Sequence, residues 1–486
     1  MIQLQNVSFA YGNGVPGVCD VNLHIQKGEM VLLCGVSGCG KTTLTRLING
    51  LAPHFYEGDL SGTVTVDGIC ISEVPIYELA GKIGTVFQNP RSQFFHTDTT
   101  GELAFGCENI GLPVEKIRAR IDRVGKELNL TALMDRNLFL LSGGEKQRIA
   151  CGSVAALEPE VVILDEPSSN LDMRAIADLR KMIRFWKSQG KTIVAAEHRF
   201  FYLADLCDRV LWMKDGRIQS EWSGEAFARM TPEELAGFGL RTNRLSSLRG
   251  RTQTTACSNE MIALEQFQYT FKNGHVALDV PYAEFPLGSI TALVGCNGAG
   301  KTTFSELLCG LKKQKRSAMT LKGRKYNTRQ RLATCYMVMQ DVNHQLFTEC
   351  VLEEVLLSQN RENREEAVKL LRDLDLQQVQ ERHPMSLSGG QRQRTAICTA
   401  LAADREIILY DEPTSGLDHL HMREVAACMM RLKELGKTQI VVTHDPEFLL
   451  LCCDYVLQLE QGMLKGGYAL NEVGTERVLQ YFCDFD

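Results

Sequence analysis

No apolar run in this 486-residue chain approaches the roughly 18–20 residues needed to cross a bilayer. The first residues hold no charged segment followed by an apolar one, so no secretory signal is expected. Positive charge is in deficit: 53 Lys and Arg against 59 Asp and Glu leave a formal charge of −6. That argues against a general nucleic-acid binder, which favours a basic surface. Cysteine is plentiful, at 17, yet no two are spaced C-x-x-C and no regular framework links them. Reduced, mostly buried, cytosolic thiols are expected. The remaining composition, 44% hydrophobic and 23% charged, is ordinary for a soluble globular protein. The length exceeds what one core supports and predicts about two to four domains.

What is present starts with G-V-S-G-C-G-K-T-T, Gly35 to Thr43. It follows the apolar run Met30-Val31-Leu32-Leu33, which reads as a buried strand, and precedes a helix-like run from Leu44 to Leu51. Strand, G-x-x-x-x-G-K-T and helix make a phosphate-binding loop. Gly35, Gly38 and Gly40 let consecutive backbone N–H groups turn inward around an anion, with Ser37 between them. The helix start adds unpaired N–H groups and a positive dipole end, with Thr43 in its first turn. Lys41 is expected to reach the β- and γ-phosphates, and the Thr42 hydroxyl to ligate Mg²⁺.

The loop occurs twice. Gly295 to Thr303 reads G-C-N-G-A-G-K-T-T, with Asn297, Gly298, Gly300, Lys301, Thr302 and Thr303 at the matching stations. L-S-G-G-E-K-Q-R (Leu141 to Arg148) recurs as L-S-G-G-Q-R-Q-R (Leu387 to Arg394), and V-V-I-L-D-E-P (Val161 to Pro167) as I-I-L-Y-D-E-P (Ile407 to Pro413). N-L-D at Asn170 matches G-L-D at Gly416, and Glu197-His198 matches Thr443-His444. The loop lysines lie 260 residues apart, whereas the signature serines, acidic pairs and histidines all lie 246 apart. The second copy is therefore 14 residues shorter between loop and signature. A period this long means tandem domains rather than a solenoid.

In this order after a phosphate loop, L-S-G-G-[E/Q], a D-E-P acidic pair and a downstream His resemble an ATP-binding-cassette (ABC) ATPase. Two sets resemble a fused pair covering nearly the whole chain. The implied fold is α/β: two tandem P-loop domains, each a parallel-sheet core with an antiparallel β subdomain and a helical subdomain. The expected boundaries are 1–240 and 259–486, joined by a linker over 241–258. The resemblance implies ATP and Mg²⁺ as cofactors. It implies that Tyr11 and Phe271 stack on adenine, that Gln88 and Gln340 contact Mg²⁺ and the attacking water, and that Asp165 and Asp411 hold the metal. Glu166 and Glu412 would polarise the water, since hydrolysis needs an acceptor for its proton. His198 and His444 would contact the γ-phosphate. Ser142, Gly143 and Gly144, and likewise Ser388, Gly389 and Gly390, begin helix-like runs, and their helix starts offer further anion sites. In the family two domains stack head to tail, so the expected sites pair Lys41 with Ser388 and Lys301 with Ser142. The first copy departs from the pattern at Glu145, where Gln is usual, and at Arg199, where Asp is usual.

F-Q-N-P-R-S-Q-F-F and E-L-A-F-G-C-E-N-I-G-L-P (Glu102 to Pro113) resemble the energy-coupling-factor branch, which drives uptake of vitamins and trace metals. That implies a transmembrane coupling subunit docked after Gln88 and Gln340, a substrate-binding membrane subunit, and a peripheral position on the cytoplasmic face of the membrane. The bland alternative for any one of these apolar residues is core packing within the helical subdomain. Two other readings share the motif set: a tandem ABC factor acting on ribosomes, which usually carries a long charged helical linker, and a fused sugar-importer ATPase, whose second loop is typically degraded. The linker lacks apolar periodicity and its arginines are expected to keep it solvated. The run 312–331 holds nine Lys or Arg in twenty residues and reads as a solvated face on an edge hairpin.

Overall fold

The computed structural model describes residues 1–250, 260–314 and 316–483. The chain divides into two compact units, Met1–Ser247 and Leu248–Asp484.

In the first unit, Met30–Cys34, Thr192–Ala196 and Val161–Asp165 are apolar runs buried along most of their length. Strands covered on both faces read as continuous apolar sequence rather than as alternation. They lie in a six-stranded sheet, in the spatial order Arg217–Ser223, Arg209–Lys214, Met30–Cys34, Thr192–Ala196, Val161–Asp165, Ile83–Val86. Only the pairing of its last two strands in sequence is antiparallel. Ile2–Tyr11 alternates buried and exposed residues over its first four positions, as a half-buried strand should. With Pro16–Ile25, Gly58–Val66 and Ile69–Cys70 it makes an antiparallel sheet. One core joins Ile2, Phe9 and Val64 of this sheet to Leu44 and Leu47 of the helix Lys41–Ile48 and to Val31 and Leu33. The helices Thr99–Asn109, Val114–Glu127 and Gly143–Leu157 supply the expected helical subdomain.

The second unit repeats the plan. Its six strands follow the same order, from Cys335–Val338 through Ile407–Asp411, Thr438–Val442, Ile290–Val294 and Tyr455–Glu460 to Met463–Ala469. Part of its shortening falls in the helical subdomain, where Arg364–Asp373 has 10 residues against 14 in Val114–Glu127. Among the described residues no helix is long and apolar enough to cross a membrane.

Two expectations need correction. Of the linker, 251–258 lies outside the described residues, but its start is packed rather than solvated. Arg241, Thr242 and Asn243 are buried, and the Asn243 amide donates to the Phe227 and Met230 carbonyls at 2.6 and 3.3 Å. Both carbonyls lie at the end of the helix Gly224–Arg229; Phe227 O also accepts from the Met230 N–H at 3.2 Å, and the side chain adds a bond to each. The basic run, of which Lys315 is not described, is also not uniformly a solvated face. It does carry an edge hairpin, Ala318–Leu321 with Arg324–Tyr326. Arg331, however, is fully buried, donating to the Ser317 carbonyl at 3.0 Å and the Ser317 hydroxyl at 2.9 Å, with its guanidinium 5.2 Å from the Phe267 ring.

Candidate active site

Each phosphate loop bridges a central strand and the helix that follows it. Gly35 and Gly40 take φ of 144° and 104°, and a Cβ at Gly35 would lie 2.3 Å from the Met213 carbonyl oxygen. Only glycine meets both demands. The loop folds around its lysine: Lys41 Nζ donates to the Gly35 and Val36 carbonyls at 2.9 and 3.1 Å. Lys301 Nζ repeats this on Gly295 and Cys296 at 2.8 and 3.1 Å. Both lysines are buried. An ammonium already held at the loop's mouth is placed to meet an anion bound there.

The strand-end carboxylates converge on the same helix starts. Thr42 Oγ1 donates to Asp165 Oδ1 at 3.2 Å, and Thr302 Oγ1 to Asp411 Oδ2 at 3.3 Å. Burial, reinforced by the neighbouring Glu166 carboxylate, pushes Asp165 up to about 6. Burial likewise raises Asp411. Such a carboxylate is favoured as an anion once a cation sits beside it. One hydroxyl and one carboxylate suit Mg²⁺, a hard ion that takes few protein ligands and keeps waters and phosphate oxygens. When bound, the ion would neutralise phosphate charge.

Glu166 and Glu412 stand just past the strands, at φ of 47° and 50°. Left-handed backbone is uncommon for residues with a Cβ and marks positions that the surroundings over-determine. Each is anchored by its own N–H, to the Ala196 carbonyl at 2.8 Å and the Val442 carbonyl at 3.0 Å. His198 Nε2 lies 3.3 Å from Glu166 Oε1, and His444 Nε2 the same distance from Glu412 Oε1. Gln88 Nε2 donates to Glu166 Oε2 at 2.8 Å. His444 Nε2 also lies 3.1 Å from Asn297 Oδ1 of its loop. Gln340 stands two residues past Cys335–Val338, as Gln88 stands past Ile83–Val86. Within each unit, then, lysine, threonine, acidic pair and histidine are gathered into one site.

The signature residues are tied to their own helices instead. Ser142 N-caps Gly143–Leu157 and Ser388 N-caps Gly389–Ala402, each through a capping box with the residue three further on. Gly144 and Gly390 allow close packing: a Cβ there would lie 2.8 Å from Ala175 Cβ and 2.3 Å from the His421 ring. The boxes differ. Ser142 Oγ donates to Glu145 Oε2 at 2.8 Å. Although burial raises it, the Glu145 carboxyl is held low by the hydrogen bonds from Ser142 and by Arg136 and Arg148.

The aromatic stations also differ. Tyr11 Oη is 3.0 Å from Thr43 Oγ1 and accepts from Arg46 Nη1 at 3.0 Å. Phe271 is 40% exposed and lies parallel to the His275 ring at 6.2 Å. The sequence reading missed Arg46 and the buried Glu197 carboxylate. Glu197 accepts from the backbone of His198 at 2.8 Å and Arg199 at 3.1 Å, and from the Tyr202 hydroxyl at 2.7 Å. Alignment of the repeats carried the signal for both: Arg46 faces Glu306, and Glu197 faces Thr443.

Comparison with known proteins gives the family. The family model for ABC transporters matches residues 18–169 and 280–415. The chain belongs to the ABC transporter family, as a tandem pair of ATP-hydrolysing domains that use ATP with Mg²⁺. A Treponema denticola protein bearing the name ABC transporter ATP-binding protein is 43% identical over 486 residues, covering 98% of each chain. A Bacillus subtilis relative, named for HMP/thiamine import as the ATP-binding protein YkoD, is 31% identical over 94% of this chain and 90% of its own. Among solved structures, an archaeal ribosome recycling factor, aABCE1, superposes with a TM-score of 0.65 at 22% identity, over 98% of this chain and 92% of that one. That likeness shows the fold alone.

Proposed function

We propose that this chain is the ATPase subunit of an energy-coupling-factor type importer, driving uptake of a vitamin- or trace-metal-class solute through separate membrane subunits. The observation that carries the reading lies just after Gln88. Glu102, buried, accepts the backbone N–H groups of Phe95 and His96 at 2.9 Å each. Phe95, whose ring stacks on Phe105 at 4.7 Å, is still 74% exposed. Glu354 makes the same clamp on Phe347 and Thr348, and Phe347 is also 74% exposed. A buried carboxylate used to hold an aromatic ring in water is costly unless something covers the ring. Phe95 borders an apolar groove of 340 Å³ lined by Ile76, Phe87, Phe105, Ile110 and Leu157. An amphipathic helix of a membrane subunit is the occupant such a groove suits. The import name of the Bacillus subtilis relative supports the direction and the solute class.

In this reading ATP draws the two halves together, each nucleotide held by one half's loop and the other half's signature. Glu166 and Glu412 accept the proton of the attacking water, and His198 and His444 hold the γ-phosphate side. Product release reopens the pair, and the loops after Gln88 and Gln340 pass the motion on. Changing Phe95 and Phe347 to Asp is expected to abolish uptake and co-purification with a multi-span membrane protein while basal ATPase persists. Unchanged uptake, or ribosomes as the co-purifying partner, would refute the assignment. Ser388→Arg is expected to impair nucleotide crosslinking at Lys41 more than at Lys301, and the reverse would exclude head-to-tail stacking.

A further inference from the structure

We propose that Arg46 is a positioning residue for the nucleobase in the first half. It would hold the Tyr11 ring at a set height above the phosphate loop, while the second half has no such tether. This rests on the reading of Tyr11 as the surface that meets the base.

The hydrogen bonds have a direction. The Arg46 guanidinium can only donate, so the Tyr11 oxygen accepts from it at 3.0 Å, and the phenolic proton is left for Thr43 Oγ1 at 3.0 Å. Arg46 and Thr43 both belong to the helix Lys41–Ile48, which opens from the phosphate loop. The ring is thus tied at its polar end to the element that would carry the phosphates. Its apolar flanks are set edge-on against Phe9 at 5.1 Å and Tyr56 at 6.5 Å. Arg46 is steadied in turn, its guanidinium lying 3.8 Å from the Tyr56 ring centre.

In the second half the edge-on packing persists, Phe271 standing against Tyr269 at 5.4 Å, but the polar tie does not. Phe271 has no hydroxyl, and the station of Arg46 holds Glu306. Glu306 pairs with Lys312, whose ammonium lies 5.2 and 5.7 Å from the Tyr269 and Phe271 rings. The Phe271 ring therefore stands beside a cation without being bonded to the helix Lys301–Leu308. A surface fixed before binding costs a ligand less ordering. The first half then binds the adenosine part of ATP more tightly than the second does, whatever their grip on phosphate.

The test is calorimetric titration of the full chain in EDTA, which prevents hydrolysis, with Lys301→Ala silencing the second site. ATP and inorganic tripolyphosphate are the probes. Arg46→Met, which keeps the packing on Tyr56, and Tyr11→Phe, which removes only the hydroxyl, are each expected to raise the Kd for ATP about tenfold. The Kd for tripolyphosphate is expected to stay within about twofold, and the double variant to bind no worse than either single one. Equal losses for both probes would mean that Arg46 acts on phosphate charge, and unchanged ATP affinity in Arg46→Met would mean that the tether does nothing; either overturns the proposal. Tyr11→Ala separates the underlying reading. If it leaves ATP affinity intact, Tyr11 does not meet the base, and the failure lies there rather than with Arg46.

Discussion

The two halves agree where chemistry acts and differ where it is only supported. At the loops and acidic pairs the duplication holds to within about 0.1 Å: Lys41 and Lys301 bond the two equivalent carbonyls, and Glu166 and Glu412 meet their histidines at 3.3 Å in the same unusual backbone region. One shell further out the solutions part. After His444, Asp445 caps the helix Pro446–Cys452, with proline at its first position. After His198 stand Arg199 and Phe200, and the chain runs on in turns. The support there comes from the buried Glu197 carboxylate and from Arg199, whose Nη1 donates to the Ser168 and Leu171 carbonyls at 3.4 and 3.3 Å. Few arrangements satisfy a triphosphate and a water nucleophile, but many can prop up a histidine.

The comparison breaks most sharply if the two glutamates are not equivalent. Glu166→Gln with Glu412→Gln is expected to lower ATPase by about 10³-fold or more while nucleotide stays bound, because the water loses its proton acceptor and the phosphate sites remain. Each single variant should leave about half the activity if the sites fire independently. Steady-state ATPase and retained nucleotide measure both, and turnover surviving in the double variant would remove these residues from the chemistry.

Next in size is the propping of the histidines. Arg199→Ala should destabilise the first half by about 1–3 kcal/mol, because it removes the buried guanidinium's hydrogen bonds to the Ser168 and Leu171 carbonyls. Thermal unfolding would read this, and a shift below about 0.5 kcal/mol would mean that those two bonds add nothing to the first half's stability.

A pH test sharpens the contrast of the metal carboxylates. Asp165 is raised by burial and by Glu166 to about 6, so the folded state holds this proton more tightly than the unfolded one. Stability of the metal-free first half should then fall as pH rises from about 4 to about 6, by up to about 3 kcal/mol, and level off above. If Asp165 holds Mg²⁺ as proposed, the ion must displace that proton, so its apparent affinity should drop up to about tenfold per pH unit below about 6. Asp165→Asn should raise the melting temperature at pH 7 and abolish that dependence. A flat profile in the wild-type chain would show that Asp165 is ionised throughout.

The smallest expected effect concerns the signature. The Ser142 hydroxyl gives its proton to Glu145, whereas the Ser388 box shows only the two backbone bonds. Glu145→Gln keeps the capping box and removes a negative charge from a helix start. In a Lys41→Ala background it should raise ATPase by about two- to fivefold. No change would mean that the carboxylate swings clear when nucleotide arrives.

The sequence by itself determined the duplication, the α/β plan and the set of residues that the structure gathers beside each phosphate loop. These depend on local order along the chain: glycines that free a backbone, apolar runs that fill a covered strand, a capping serine before a helix. Their spacing survives in one dimension. Only the tertiary structure decided what stands beside them. Arg46 reaches Tyr11 across 35 residues, and Arg199 reaches Ser168 across 31. The start of the linker is tied down where Asn243 donates to carbonyls at a helix end 16 and 13 residues back. Arg331 is buried among a serine, a threonine and a ring that no periodicity announces. Such contacts join side chains whose partners are set by how elements cross in space, and a charged residue reads as solvated until the groups that satisfy it have been found.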